Sequence, residues 1–402
     1  MCPPEVISAP REVRPLPYHR AVADILEREN PAAFRALTPA GSTASGELDQ
    51  ALLRSTYRLE QSAHPEVHAA VGRAAQALGL DVPVEIFADE GRQGANAELV
   101  FVPSRAILLF TGPTLDLLDA DELCAVGGHE LAHHLLWTAA GGRFLAATRL
   151  LDAAEGDART PAAYLETARR YRLATELFAD RAALAAAGTL TPAVSGLLKV
   201  ATGLRQVDPE AYLRQAAEVD LTAPSAGTTH PETVVRAWAL KEWADAQTSD
   251  EDLDGVDDRV SAAFAPVLDL GALDLPGQDR LLDLTRRLVR TAISVPELQT
   301  PGVLELAEQY GVDVPAQRLD ASDAVPSSAS RETRTYLASV LTDVATADGD
   351  SGNESWALTL DVARRAGVGT ELLRLMTTEL GLTDRDRRRL GERADALAGG
   401  AG

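Results

Sequence analysis

A histidine pair four residues apart is the feature that most restricts how this chain can fold. His129 and His133 flank Glu130 in the sequence HELAH. Positions four apart on an α-helix lie one turn apart on the same face, so both imidazoles can bind one metal ion. Glu130 lies about 100° round the helix from His129, close enough to accept a proton from a metal-activated water. The spacing predicts a zinc-binding helix. Chance spacing of these residues is the alternative.

A catalytic zinc ion needs a third protein ligand and one open position. The sequence TELFADRAAL offers Glu176, with Asp180 four residues later on the same helical face. A zinc-binding histidine usually donates its second ring N–H to a carboxylate, which fixes its tautomer. We expect Glu176 to complete a site for one zinc ion and Asp180 to hold His129. The alternative is that the two carboxylates form a solvated helix edge.

The helix that carries the histidine pair has sequence signals along its length. Asp119 and Glu122 match a capping box at its start, and the pair Gly141–Gly142 predicts its end. Gly127 and Gly128 lie inside it, although each glycine costs about 1 kcal/mol relative to alanine in a helix. We therefore expect the backbone to approach a strand or a substrate closely at these positions. Glycines without a packing role are the alternative.

The charge of the chain limits its partners. Its 402 residues carry a formal net charge of −22. A surface this acidic repels phosphate backbones and anionic lipid headgroups, so we expect neither nucleic acid nor membrane surfaces as partners. No apolar run reaches the roughly 18 residues of a membrane span, and the first residues lack the apolar segment of a secretory signal. With two cysteines, and hence no disulfide framework, we expect a cytoplasmic protein.

Length and pattern divide the chain into parts, because 402 residues exceed what one hydrophobic core usually organises. We expect a helical N-terminal extension (1–60), a metallopeptidase-like metal domain (61–247) and, after the acidic run SDEDLDGVDD, an all-helical domain (258–402). Three segments of the middle part have strand character: Val82–Asp89, Ala97–Ser104 and Ala106–Gly112. The predicted fold class is α+β and mostly helical, with a small antiparallel sheet beside the two metal-bearing helices.

Taken together, these motifs resemble the gluzincin zinc peptidases related to HtpX and to the CAAX-prenyl endopeptidases. The similar segments follow the family's order across about residues 60–245: Asn96-Ala97, ILLFTGPTLDLLDADEL, GGHELAHHLL, ELFADRAA, and Thr229-His230-Pro231 with Arg236 downstream. The resemblance implies zinc-dependent cleavage of peptide bonds within a peptide or protein substrate. It also implies that His230 lies near the metal, as an oxyanion stabiliser or a switchable fourth ligand.

The resemblance further implies that the edge strand Ala97–Phe101 binds the substrate backbone by strand addition. Asn96, Ala97 and Glu98 are then the expected substrate-binding residues. The chain departs from the family at Glu98, where the family usually carries an apolar residue, so its substrate preference differs. Family members are commonly embedded in membranes, whereas this sequence has no membrane-span pattern, and its acidic C-terminal third lies outside the peptidase unit.

Three other motifs allow a metal-binding interpretation. His64 and His68 are four residues apart, but Pro65 places His64 at a helix cap, which favours an ordinary surface pair. The segment from Asp250 to Gly255 matches the first half of an EF-hand loop, but the twelfth position is Ser261, which favours a solvated acidic linker.

The third motif, VATADGDSGNE, resembles the acidic loop of the TerB-like tellurite-resistance module. Its candidate ligands are Asp348, Asp350 and Glu354. The resemblance implies a metal-sensing or interaction module, and a polar loop between helices is the alternative. A C-terminal domain of either kind is a candidate binding site for a protein partner.

The sequence thus predicts a zinc endopeptidase in which a metal-activated water attacks a peptide carbonyl. Glu130 acts as general base and then protonates the leaving amine. The main alternative is a non-catalytic scaffold stabilised by zinc, which acts through partner binding by its helical C-terminal domain. A latent peptidase, active only after truncation near Asp254, is a third hypothesis.

Overall fold

A computed structural model describes residues 13–38, 45–219, 233–249, 251–264, 270–327, 329–349 and 353–399. The chain divides into two compact units, Met1–Pro266 and Val267–Gly402. Helices dominate both, and a four-stranded sheet lies in the first unit. The predicted α+β, mostly helical fold class is confirmed.

The first unit combines helices with one sheet. Its helices are α1 (Pro17–Glu29), α2 (Pro31–Leu37), α3 (Ser45–Ser55), α4 (Pro65–Ala77), α5 (Thr114–Leu117), α6 (Ala120–Glu155), α7 (Ala162–Ala187), α8 (Leu190–Thr202), α9 (Pro209–Ala216), α10 (Thr233–Ser249) and α11 (Leu253–Phe264). Its strands are β1 (Tyr57–Arg58), β2 (Val84–Asp89), β3 (Asn96–Val102) and β4 (Arg105–Thr111).

The sheet is mixed rather than antiparallel, which corrects one detail of the prediction. The strand order is β1-β2-β4-β3. β3 and β4 form an antiparallel hairpin, but β2 and β4 pair in parallel, with Val84 opposite Ala106. The parallel pair arises because β3 lies outside β4 instead of between β2 and β4. β3 is therefore an edge strand of the sheet.

Apolar side chains cover both faces of the sheet, because successive residues of a strand point to opposite sides. Ile86, Leu108 and Phe110 pack with α4 and α6 on one face. Phe87 and its neighbours on β3 and β4 pack with Leu52 of α3 on the other. The sheet is thus the middle layer between α3 and the helix that carries the histidine pair.

α6 begins and breaks where its sequence predicts. Asp119 accepts hydrogen bonds from the amides of Asp121 and Glu122, and the Glu122 carboxylate accepts from the Asp119 amide at 2.8 Å. The backbone leaves the helical conformation from Ala139 to Gly142, where three successive residues have φ of 49°, 69° and 87°. The first of these residues is Ala140, and the other two are Gly141 and Gly142, which adopt such angles without strain. The helical path then resumes and continues to Glu155.

The two glycines of α6 face neighbouring helices. A Cβ at Gly128 would lie 2.5 Å from the Cβ of Ala186 on α7, whereas one at Gly127 would lie 3.4 Å from a methyl group of Val71 on α4. The backbone does approach a neighbour closely at Gly128, but the prediction that this neighbour is a strand or a substrate is wrong, because it is helix α7. Gly128 lets α6 and α7 pack closely, since only a residue without a side chain fits there.

α1 packs against α7 through a buried histidine. The amide of Leu16 donates a hydrogen bond to Nδ1 of His19, so the Nε2–H of the ring donates to the hydroxyl of Thr175, each at 3.2 Å. Burial, with a smaller contribution from the charge of Arg20, lowers the pKa of His19 to about 3. The ring is therefore neutral in the folded protein at any ordinary pH.

The end of the acidic run is helical and belongs to the first unit. Residues Leu253–Phe264 form α11, in which Val256 and Val260 are buried. Asp257, in the same helix, is only 5% exposed and pairs with Arg181 of α7. Asp250, the first residue of the EF-hand-like segment, lies outside the described residues.

The described residues of the second unit are helical. Its elements are α12 (Leu275–Ile293), a 3₁₀ helix (Pro296–Leu298), α13 (Pro301–Gln309), α14 (Arg331–Thr346), α15 (Asn353–Arg365), α16 (Gly369–Glu379) and α17 (Asp384–Gly399). Leu288, Leu341 and Leu360 lie at the centre of its core and are fully buried. Throughout the described parts of the chain, every helix is either too short or too polar to cross a membrane.

Two residues of the TerB-like loop have partners within the second unit. Asp348 accepts hydrogen bonds from the hydroxyl of Thr300 and the amide of Gly302 at the start of α13. Glu354 pairs with Arg393 at 3.2 Å. Asp350 lies outside the described residues. The contacts of Asp348 are those of a helix cap, so they favour the interpretation as a polar loop.

The close contact at Gly128 predicts unequal effects for two neighbouring substitutions. Gly128→Ala forces α6 away from α7, and we expect it to lower the free energy of unfolding by about 1–3 kcal/mol. Gly127→Ala is the matched control, because its new methyl group meets Val71 at an ordinary contact distance. Alanine's higher helix propensity offsets any small strain there. Denaturant titration of both variants is the measurement, and equal stabilities would contradict the assignment of the contact.

Burial of neutral His19 predicts a pH-dependent loss of stability. Its folded pKa of about 3 lies below the unfolded value of about 6.5, so unfolding takes up a proton between these limits. The stability is complete above about pH 6.5 and falls as the pH decreases, by about 2 kcal/mol at pH 5 from this group alone. His19→Gln keeps a donor and an acceptor but cannot titrate. The difference in unfolding free energy between the two proteins should change by that amount between pH 7.5 and 5. Unfolding free energies that vary with pH in parallel would contradict the prediction.

Candidate metal centre

The two histidines of the HELAH sequence share one face of α6, as their spacing predicts. Their ring centroids lie 5.3 Å apart with the planes nearly perpendicular, at 81°. Only 13% of the His129 side chain is exposed. Both rings line the same cleft, with the side chain of Glu130 beside them.

α7 brings two carboxylates to this histidine pair. The Oε2 atom of Glu176 lies 3.5 Å from Nε2 of His129. Among the described residues, His129, His133 and Glu176 each offer a ligand atom, and these three atoms lie within 4.8 Å of one another. Two imidazoles and one carboxylate at this separation form a donor set suited to a transition-metal ion.

The orientation of His129 is set by its second nitrogen. The Nδ1–H group of the ring donates to Oδ1 of Asp180 at 3.0 Å. This bond fixes the orientation of the ring, so its other nitrogen, Nε2, faces Glu176. Asp180 therefore has the geometry that its spacing from Glu176 predicts.

Arg236 of α10 pairs with both carboxylates, a role that we did not assign it from the sequence. Its Nε and Nη2 atoms donate to the two oxygens of Asp180, each at 2.7 Å. Its Nη1 atom lies 3.4 Å from Oε2 of Glu176. Its place five residues after Pro231, in a segment that resembles the family motif, was the available signal. The fork on Asp180 is bidentate, the strongest geometry for such a pair.

The charges of the site act in opposite directions on the two imidazoles. Burial alone would lower the pKa of His129, but hydrogen bonds to Asp180 and Glu176 and their negative charges raise it to about 10. Burial and the neighbouring positive charge of His129 lower the pKa of His133 to about 4. The neutral form that His133 favours is the form that binds metals.

The two carboxylates stay ionised despite their burial. Burial raises the pKa of Asp180, but the charges and hydrogen bonds of Arg236 and His129 lower it by more, so the net shift is downward. Burial also raises the pKa of Glu176, but a hydrogen bond from His129 and the charge of that residue lower it by more. The site therefore offers negative charge to a cation.

Glu130 differs from Glu176 and Asp180 in that its pKa rises. Its side chain is 8% exposed, and burial raises its pKa to about 7. The charges of His129 and Arg236 and the amide of Leu99 moderate this shift, whereas the charge of Glu176 adds to it. A carboxylate with a pKa near 7 can both accept and release a proton at neutral pH.

The edge strand β3 forms one wall of the cleft, which has a volume of about 560 Å³. Asn96, Ala97 and Glu98, the three expected substrate-binding residues, all line it. The carboxylate of Glu98 pairs with Arg92 at 3.2 Å. In the described part of the chain, β3 pairs with β4 alone, so its other edge carries backbone groups without a strand partner.

Further residues extend the cleft on both sides of the histidine pair. Val126, one turn before His129, lines it together with Leu197 of α8. Trp137, one turn after His133, lines it at the other side, with its ring centroid 5.5 Å from that of His133. We did not predict a role for Trp137, although its position four residues after His133 places it on the same helical face.

The remaining histidines have other partners or lie outside the described residues. His134 donates from Nε2–H to the carbonyl of Val102 at 3.1 Å. His68 donates to the carbonyl of Leu59 at 2.7 Å, and His64 precedes α4 as its cap residue. His230 falls in the segment 220–232, which is not among the described residues.

The pairing of Arg236 predicts a large loss of stability when its charge is removed. Arg236→Met leaves Asp180 without its buried counter-charge, so we expect the unfolding free energy of the chelator-treated protein to fall by about 3–5 kcal/mol. Arg73→Met is the control, because the Arg73–Asp121 pair is solvent-exposed and such pairs contribute little. Equal denaturation midpoints for the two variants would contradict the assigned role.

Comparison with known proteins agrees with this geometry. Residues 61–244 match the model of peptidase family M48, and this segment includes both metal-bearing helices, β3 and Arg236. No curated protein and no solved structure matches the chain. The family match and the His129, His133 and Glu176 cluster lead to the same conclusion: residues 61–244 form a metallopeptidase domain of peptidase family M48.

Proposed function

We propose that the chain is a zinc-dependent endopeptidase that binds one zinc ion through His129, His133 and Glu176. The observation that carries the proposal is the convergence of these three side chains within 4.8 Å, beside the buried carboxyl group of Glu130. A purely structural zinc site would have no use for Glu130 and would normally close the fourth position with a protein ligand.

The donor set fits zinc. Imidazole and carboxylate ligands in a set of three are typical of catalytic zinc sites. The hydrogen bond from His129 to Asp180 leaves Nε2 free on the side of Glu176. Bound zinc lowers the pKa of water to about 7 and polarises a carbonyl oxygen. We assign Asp180 the role of orienting His129 for this purpose.

Glu130 performs the proton transfers in the proposed mechanism. As the water oxygen forms a bond to the peptide carbonyl carbon, the Glu130 carboxylate, whose pKa burial raises, accepts the proton that the water gives up. The carboxyl group then returns this proton to the nitrogen of the departing amine, and the peptide bond breaks. Because Glu130 is largely shielded from solvent, the proton stays within the cleft between the two transfers.

Asn96, Ala97 and Glu98 hold the substrate backbone in this proposal. An extended peptide adds to β3 as a further strand, since backbone donors and acceptors of an edge strand can pair with it. Cleft residues continue about one helical turn beyond the histidine pair in each direction, to Val126 and Trp137. A substrate can therefore extend on both sides of the bond that is cut, which favours cleavage within a chain over removal of terminal residues.

Two further parts of the proposal rest on the sequence alone. We assign His230 to the site, as an oxyanion stabiliser or a switchable ligand, because it stands in the Thr-His-Pro segment that resembles the family motif. We assign partner binding to the second unit. The hypothesis of a latent peptidase predicts activity after truncation of the chain. A truncation near Asp254 would remove most of α11, so a variant that tests this hypothesis should end after Phe264.

The role of Glu130 predicts separate outcomes for catalysis and metal binding. Glu130→Gln removes the proton acceptor, and we expect casein or peptide-library cleavage to fall by about 10²–10⁴-fold. Its zinc content, measured by mass spectrometry, should stay at that of the wild type. Glu85→Gln is the matched control, because that half-buried carboxylate on β2 lies outside the cleft and pairs with Arg105, so its cleavage rate should change little.

Other outcomes would contradict parts of the proposal. Equal cleavage by wild type and Glu130→Gln would remove Glu130 from the mechanism. One bound zinc ion without cleavage by either protein would favour the zinc-stabilised scaffold. A wild-type protein that binds no zinc would contradict the proposed metal centre itself.

A further inference from the structure

A buried carboxylate beyond the family-matched segment joins the two helices that hold Asp180 and Arg236. Asp257 of α11 accepts two hydrogen bonds from Nη1 of Arg181 on α7, at 3.0 and 2.8 Å. It also accepts one from Nε1–H of Trp243 on α10, at 3.0 Å. All three side chains of this Asp257 cluster (Arg181, Trp243 and Asp257) are buried.

The Asp257 cluster is closely connected to the metal centre along both helices. Arg181 directly follows Asp180 on α7. Trp243 follows Arg236 by seven residues on α10, about two turns along the same side of the helix. One carboxylate thus determines the position of α10 against α7 near the point where Arg236 reaches Asp180.

The bonds of this cluster resist displacement. Hydrogen bonds to a charged acceptor are about twice as strong as neutral ones. Loss of the Asp257 carboxylate would leave the guanidinium of Arg181 buried without a counter-charge, and the helices would move to hydrate it. Trp243 is fully buried, so its indole N–H would also lose its partner.

We propose that Asp257 is a positioning residue of the metal centre. By joining α7 to α10 it keeps the fork of Arg236 on Asp180, and Asp180 in turn orients His129. The inference rests on the metal site proposed above. It extends the structure needed for that site from the family-matched residues 61–244 to α11.

Zinc affinity and the visible spectrum of the cobalt-substituted protein test this inference, since a residue that only stabilised the fold would change neither. For Asp257→Asn we expect the zinc dissociation constant, measured by competition with a chromophoric chelator, to rise about tenfold. The cobalt absorption bands should shift or weaken as the ligand geometry loosens. Trp243→Phe removes one donor and should produce a smaller change in the same direction.

Asp361→Asn is the matched control. Asp361 is also 5% exposed and pairs with an arginine, but it lies in the second unit. This variant should lose stability while zinc affinity and the cobalt spectrum stay at wild-type values. A change in the metal site of this control equal to that of Asp257→Asn would overturn the inference.

The remaining outcomes distinguish this inference from the proposed function. If the wild type binds no zinc, the proposed metal centre fails. If the wild type binds zinc and folded Asp257→Asn shows unchanged affinity and spectrum, the positioning role alone fails. Should Asp257→Asn not fold, unchanged affinity and spectrum in Trp243→Phe would equally overturn it.

Discussion

The candidate metal centre depends on one buried carboxylate that serves two partners. Asp180, 2% exposed, accepts from His129 and from the fork of Arg236. Burying an unpaired carboxylate would cost several kcal/mol, and the hydrogen bonds from His129 and Arg236 offset this cost. The same combination holds the imidazole at a fixed angle and keeps the neighbouring carboxylate of Glu176 ionised. Stability and metal geometry therefore have a common origin here.

α7 is the element through which this interaction reaches the rest of the first unit. Its close contact with α6 at Gly128 sets the distance from Glu176 to the histidine pair. On its other sides, Thr175 contacts His19 of α1, and Arg181 pairs with Asp257 of α11. Helices on either side of the family-matched segment thus support the helix that carries the third ligand candidate.

Local sequence patterns predict much of the candidate site, because its spacing is helical. Residues four apart on one helix share a face whatever surrounds them, so the spacing of His129 and His133 and of Glu176 and Asp180 predicts which side chains lie together on each helix. Capping and breaking of α6 are likewise local, since Asp119 bonds to amides two and three residues away and the glycines at 141 and 142 adopt positive φ.

Features that depend on distant partners were missed or misjudged. The parallel pairing of β2 with β4 depends on which side of the hairpin β2 adds to, and strand patterns carry no such information. Asp257 stands in an acidic run that is typical of a solvated segment, and its burial depends on partners 14 and 76 residues away, Trp243 and Arg181. Gly128 in the middle of a helix predicts a close approach of the backbone to a neighbour. The local sequence does not indicate that this neighbour is α7.

Among the described residues the outer edge of β3 has no strand partner, which has a consequence beyond the proposed substrate binding. An unpaired strand edge is also a template on which a second copy of the same strand can add, and such additions lead to aggregation. Glu98 and its partner Arg92 place charges along this edge. The net charge of −22 adds a general repulsion between copies. The charged side chain of Glu98 thus makes self-association at this edge less favourable while leaving the backbone groups available to a peptide.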